Sequence, residues 1–200
     1  MYKLVTDNGG APCVWRGLLS LAICKFKIRK RAEKGDIIFG FGSKSKKYGE
    51  RLIYIAKVTA KLSCGEYYRL PRYTNRPDCI YKSINGKAQR KRRARYHMQS
   101  DERKNDVGMK FERAYVLLSR DFRYFGRKGT DDYKRGFPAI AKLIKGLMRG
   151  HRVNHSVKLR RQLLGLKNQV WRNHLHKKLG PPTVADRVQL CNLDSPSAQC

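Results

Sequence analysis

The stretch CKFKIRKRAEKGDIIFGFG, Cys24 to Gly42, decides the reading of the chain. Its first half predicts a short basic helix. Ile28 and Ala32 lie one helical turn apart and can share a core-facing side with Ile23, while Lys25, Lys27, Arg29, Lys30 and Arg31 populate the rest. Gly35 is a natural stop, because glycine accepts the left-handed backbone that a helix end needs. Asp36 then opens the run Ile37, Ile38, Phe39, Phe41, bounded by Gly40 and Gly42. That run is short, β-branched and aromatic, which predicts a buried strand rather than a helix.

Upstream, Tyr2 to Thr6 reads as a first strand. Asp7-Asn8-Gly9-Gly10-Ala11-Pro12 is a dense turn cluster. Such a loop can be turn chemistry alone, or it can set Asp7 and Asn8 against a ligand. Downstream, Ser43 to Glu50 is a polar basic loop and Arg51 to Lys61 a strand apolar on both faces, as expected of one covered on both sides. Gly65-Glu66-Tyr67-Tyr68-Arg69 sets two tyrosines beside an arginine, a combination suited to stacking on a base or equally to a core edge. Arg76-Pro77-Asp78-Cys79-Ile80-Tyr81 is a turn feeding an extended piece.

Residues 85–106 form the sharpest change of composition. Six basic residues, Lys87, Arg90, Lys91, Arg92, Arg93 and Arg95, fall within nine positions, and aliphatic residues almost vanish. A block of like charge repels itself, so the expectation is a solvated arm able to meet phosphates, or simply a solvated loop. Beyond it, Phe111 to Ser119 predicts a strand, ended by Asp121 to Gly126. Phe137 to Met148 and Ser156 to Leu179 carry apolar residues at helical spacing: Ile140, Leu143, Ile144 and Leu147 in the first; Leu159, Leu163, Leu166 and Val170 in the second. Pro181-Pro182 stops the second helix, and residues 180–200 read as a disordered tail.

Charge bounds the partner. Lys plus Arg number 46 against 15 acids, a formal net charge of +31 in 200 residues. A surplus of that size implies a polyanion, because each neutralised phosphate releases condensed counterions. Nucleic acid fits best. A membrane surface fits less well, since no long helix pairs a clean basic face with exposed aromatics, and no apolar run of about 18 residues exists to span a bilayer. The six cysteines contain no CxxC pair, and together with His97 or His151 they match no zinc-finger spacing, so neither a metal nor a cofactor is assigned. With no basic-then-apolar leader, a cytoplasmic location is expected. The sequence leaves the oligomeric state open.

Lys-Gly-Asp followed by an apolar strand and glycine (Lys34 to Gly42) resembles the PUA-like group, with its ASCH, EVE and YTH members, in which such a strand walls a nucleobase pocket. Several segments in order and spacing extend the likeness. DNGGAPC (Asp7 to Cys13), LAICKFKIRKRAEKGDIIFGFG (Leu21 to Gly42), LIYIAKVT (Leu52 to Thr59), EYYR (Glu66 to Arg69), RPDCIY (Arg76 to Tyr81), RDFRYFG (Arg120 to Gly126) and GHRVN (Gly150 to Asn154) resemble the nucleotide-modification-associated domain of the second type, a prokaryotic and phage family linked to modified bases in DNA. The likeness spans about residues 2–155, with the helix of 156–179 outside it. It implies an α+β fold, a PUA-like small β-barrel with flanking helices and a C-terminal helical extension.

The implied function is recognition of a modified base in nucleic acid, DNA more than RNA. The base pocket would be formed by Asp7, Asn8, Cys24, Asp36, Tyr67, Tyr68, Asp78 and Tyr81. Lys25, Arg29, Arg76, Arg90, Lys91, Arg92, Arg93, Arg95 and Arg152 would meet phosphates. Cys79 departs from the family pattern, where Asn is expected after Asp78. The alternative is an enzyme acting on a modified nucleotide or base, with Asp7, Asp78 and His151 supplying acid–base chemistry and Arg152 or Arg29 stabilising an anion. No P-loop, HExxH, nucleophile elbow or deaminase motif is present to favour it.

Overall fold

The computed structural model describes residues 1–44, 48–98, 100–148 and 150–183. Its elements, in chain order, are β1 (Tyr2–Leu4), β2 (Cys13–Trp15), β3 (Leu18–Leu21), α1 (Phe26–Arg31), β4 (Ile37–Gly42), β5 (Leu52–Lys57), β6 (Ala60–Leu62), α2 (Glu66–Arg69), α3 (Pro71–Thr74), β7 (Tyr81–Ile84), β8 (Lys87–Arg90), α4 (Ser100–Asp106), β9 (Val116–Ser119), β10 (Asp121–Tyr124), α5 (Tyr133–Gly136), α6 (Pro138–Gly146) and α7 (Val157–Asn173). The fold is α+β. Among the described residues no sheet closes into a barrel; two open four-stranded sheets and a hairpin stand where one small barrel was expected. The part of the expected tail from residue 184 onward lies outside the described residues, as do Cys191, Cys200 and positions 45–47 of the basic loop.

The chain divides into two units. The first comprises Met1–Asp7, Ile37–Lys57 and Asp121–Thr183. Its sheet has the order β1-β4-β5-β10, with β1 parallel to β4 and the other neighbours antiparallel. β4 is the expected apolar strand, buried from Ile38 to Gly42. Gly40 in its middle admits close packing: a Cβ there would lie 2.2 Å from the Tyr54 ring and 2.8 Å from Leu4. Phe39, Phe41, Leu52 and Ile55 form a core with Ile140 and Ile144 of α6 and with Leu159, Leu163, Leu166 and Val170 of α7. The α7 stripe is the one its helical spacing predicts. Each such side chain contributes about 1.5–3 kcal/mol on burial, more than the intrinsic propensity of a helix supplies. Ser156 Oγ caps the helix by accepting from Leu159 N–H at 3.3 Å.

The second unit comprises Asn8–Asp36, Val58–Arg120 and 184–200, the last outside the described residues. Its sheet has the order β2-β3-β9-β6, all antiparallel. Ala22, Ile23, Tyr67, Tyr68, Ile80, Tyr81, Phe111 and Val116 are among its buried core. The basic block departs from the expected solvated arm. Asn85 and Gly86, at φ of 50° and 74°, turn β7 into β8, and residues Ser100–Asp106 form α4. Asn-Gly is the two-residue hairpin signal, since both central residues of that turn need positive φ.

Candidate nucleic-acid interface

The residues expected to line a base pocket are each engaged with other residues of the protein. In the first unit, Asp7 is fully buried, with both carboxylate oxygens 2.8 Å from the Tyr124 hydroxyl and its N–H donating to Tyr48 Oη at 3.0 Å. Burial, then the nearby Asp7 charge against its stabilising hydrogen bond, leaves the Tyr48 phenol above its ordinary pKa. His151 forms an isolated antiparallel bridge with Tyr2. Arg152 is exposed, donates from Nε to the Asn154 carbonyl at 3.0 Å, and lines an open groove of about 460 Å³ with Leu143, Leu147 and Leu159.

In the second unit, Asn8 Oδ1 accepts from Gly10 N–H at 3.0 Å, an Asx turn, so turn chemistry accounts for this part of the loop. Asp36 is exposed and accepts from Glu33 N–H at 2.9 Å, closing the turn before β4. Tyr67 and Tyr68 are 0% and 5% exposed, and Tyr67 stacks on Tyr73 at 4.8 Å. These rings are core and offer no open face to a base, which corrects the stacking expectation. Tyr67 Oη donates to Asp78 Oδ1 at 2.7 Å and Ser20 Oγ to Asp78 Oδ2 at 2.5 Å. Arg76 Nε lies 3.4 Å from Asp78 Oδ1, and Arg76 also donates to the carbonyls of Cys13, Trp15 and Leu18. Burial and the Asp78 charge raise the Tyr67 phenol and the Cys13 thiol.

Arg29 corrects a second expectation. Its side chain is fully buried, and it donates to the carbonyls of Cys24 (2.5 Å), Tyr115 (2.6 Å) and Asp106 (3.0 Å). A guanidinium with five donors can satisfy several inward carbonyls at once, which is why a basic residue of α1 turns to the core. Neither Arg29 nor Arg76 is available to phosphate. Lys25 is half-buried at the N-cap of α1, and burial lowers its pKa. Tyr81 is buried and donates to Asp106 Oδ2 at 2.9 Å, and Cys24 lies with its sulfur 3.1 Å from His97 Nε2. Asp106 was absent from the expected set, and His97 entered only as a metal option. No local spacing joins these residues to position 24. Among the described residues no group of three or more His, Cys, Asp or Glu side chains is placed to hold a metal ion.

The basic block sorts itself by orientation. Arg90 is tied inward to the carbonyls of Ala94 and Tyr96, and Lys91 to that of Thr74. Arg92, Arg93 and Arg95 are exposed and form no ion pair among the described residues, as is true of Lys82 and Lys87 on the hairpin. In the first unit, α7 turns Lys158, Arg160, Arg161 and Arg172 to solvent, away from its buried stripe.

Fold and surface define a mixed α+β protein with strongly basic exposed faces. The chain belongs to the family described as nucleotide modification associated domain 2, whose profile matches residues 1–183. That links it to modified nucleotides. No curated protein and no solved structure matches it. Among the described residues no helix is long and apolar enough to cross a membrane.

Proposed function

We propose that the protein binds nucleic acid containing modified nucleotides, DNA in preference to RNA, through exposed arginines that neutralise backbone phosphates. The observation that carries this reading is the loop after β8. Arg90 and Lys91 anchor it from within, leaving Arg92, Arg93 and Arg95 exposed without acidic partners among the described residues. Family membership supports modified nucleotides as the context, and the motif resemblance favours DNA. The pocket as composed from sequence is not part of this proposal, because Tyr67, Tyr68, Asp78 and Tyr81 are buried against each other or against further core residues. The test is equilibrium binding to matched duplexes and single strands with ordinary or modified bases. Submicromolar binding to DNA, tighter for at least one modified base than for its unmodified parent, is expected at low salt. Absence of binding at low salt would remove the reading.

A further inference from the structure

Cys24, His97 and Asp106 form a relay that the nucleic-acid interface does not use. Cys24 Sγ lies 3.1 Å from His97 Nε2, and His97 Nδ1 donates to Asp106 Oδ2 at 2.5 Å. Asp106 also accepts from Cys24 N–H at 2.6 Å and from Tyr81 Oη at 2.9 Å, and it lies 3.6 Å from the Arg29 guanidinium. The carboxylate therefore fixes the imidazole with its Nδ1 bonded and its Nε2 aimed at sulfur. This is the geometric signature of a thiol activated by an adjacent base that a third group orients.

The backbone sharpens the case. Cys24, Lys25 and His97 all sit in the left-handed region, at φ of 53°, 47° and 55°. None is glycine, and residues held there need the surroundings to over-determine them. Cys24 occupies the turn between β3 and α1, and Arg29 Nε grips its carbonyl at 2.5 Å. His97 and Asp106 are buried, whereas Cys24 keeps part of its surface open. Burial by itself would lower the imidazole pKa, but the Cys24 sulfur and the Asp106 carboxylate outweigh it and raise it to about 11.

We propose that Cys24 is the nucleophile of a hydrolytic Cys24–His97–Asp106 centre that attacks the carbonyl carbon of an acyl or amide group carried by a nucleotide. The sulfur electron pair forms the S–C bond and the carbonyl pair moves onto oxygen. Collapse of the adduct expels the amine or alkoxide, which takes the proton from His97 Nε2. Water then adds to the thioester, giving a proton to His97, and the carboxylic acid leaves as Cys24 is released. The sum is substrate plus water to acid plus amine or alcohol, with no other reactant. Cys24 and His97 are the catalytic residues; Asp106 and Arg29 position them. The nucleotide part of the substrate rests on the nucleic-acid reading, while the thiol chemistry does not.

The test is alkylation of the full chain by iodoacetamide, with each cysteine followed by peptide mass spectrometry. Cys64, exposed in the same molecule, is the internal control. At about pH 6 Cys24 should react about tenfold or more faster than Cys64, since its sulfur alone is paired with an oriented imidazole. Equal or slower reaction of Cys24 in the wild-type chain overturns the proposal without recourse to any variant. H97Q should abolish the advantage, and retention of it would also overturn the proposal. With p-nitrophenyl acetate as probe, a transient acetyl adduct should collect on Cys24 in the wild type and not in H97Q. Acetylation spread evenly over the cysteines counts against the centre. DNA binding is measured separately, so loss of that activity with Cys24 reactivity intact would overturn only the nucleic-acid reading.

Discussion

Replacing Asp78 by alanine should destabilise the protein more than any surface substitution. The carboxylate is fully buried, accepts from Ser20 Oγ and Tyr67 Oη, and lies 3.4 Å from Arg76 Nε, whose own N–H goes to Tyr67 Oη. Asp78→Ala removes an acceptor from two buried hydroxyls and leaves the Arg76 guanidinium, 4% exposed at its side chain, with carbonyl and hydroxyl partners but no counter-charge. Breaking a buried pair from one side costs about 3–5 kcal/mol, because the remaining charge stays buried. For a chain of this size that corresponds to a fall of roughly 6–20 °C in melting temperature, at about 2–4 °C per kcal/mol. Asp78→Asn, which keeps an acceptor oxygen but no charge, should fall between wild type and alanine. Thermal melts by circular dichroism at neutral pH read the effect directly. A shift of less than about 3 °C for Asp78→Ala would refute the argument, since it would mean that carbonyls and hydroxyls alone satisfy Arg76.

Gly40→Ala should destabilise by roughly 1–3 kcal/mol, the cost of overpacking, because the new methyl would meet the Tyr54 ring, itself held by a 2.8 Å hydrogen bond to Tyr2; urea titration measures it. Arg29→Ala should lower the melting temperature, by stranding three carbonyls and Asp106, yet leave the salt dependence of DNA binding unchanged. His155 is held down to about pKa 4 by burial, then by the N-terminal amine, Arg152 and Arg160. The folded state thus binds fewer protons than the unfolded one, so the stability that this residue contributes is present above the ordinary imidazole value of 6.5 and is lost as pH falls through about 4. Melts across that range should fall less steeply for His155→Gln.

Much of the local structure was legible. β4 and the α7 stripe follow from the period of their apolar runs and are buried as that pattern requires, although α7 ends at Asn173 and not at the expected Leu179. That the strands form two open sheets and a hairpin rather than a barrel was not legible, because pairing is set by distant partners. Arg51 to Lys61 reads as one strand, yet Leu52–Lys57 and Ala60–Leu62 belong to different sheets. Val116–Ser119 and Asp121–Tyr124 likewise part on either side of Arg120. Residue type identified the charged groups but not their direction. Arg29 and Arg76 face inward because backbone carbonyls await them, whereas Arg92 and Arg93 face outward. His97 and Asp106 lie 73 and 82 positions from Cys24. Such a separation leaves no spacing to read, and only the fold brings them together.

The most direct test of the central claim is the salt dependence of DNA affinity for the wild type and for a variant with Arg92, Arg93 and Arg95 all replaced by alanine. If these arginines each neutralise one phosphate, the slope of log affinity against log salt should lessen by roughly three, at about 0.9 per duplex contact. An unchanged slope in a variant that melts like the wild type would contradict the account.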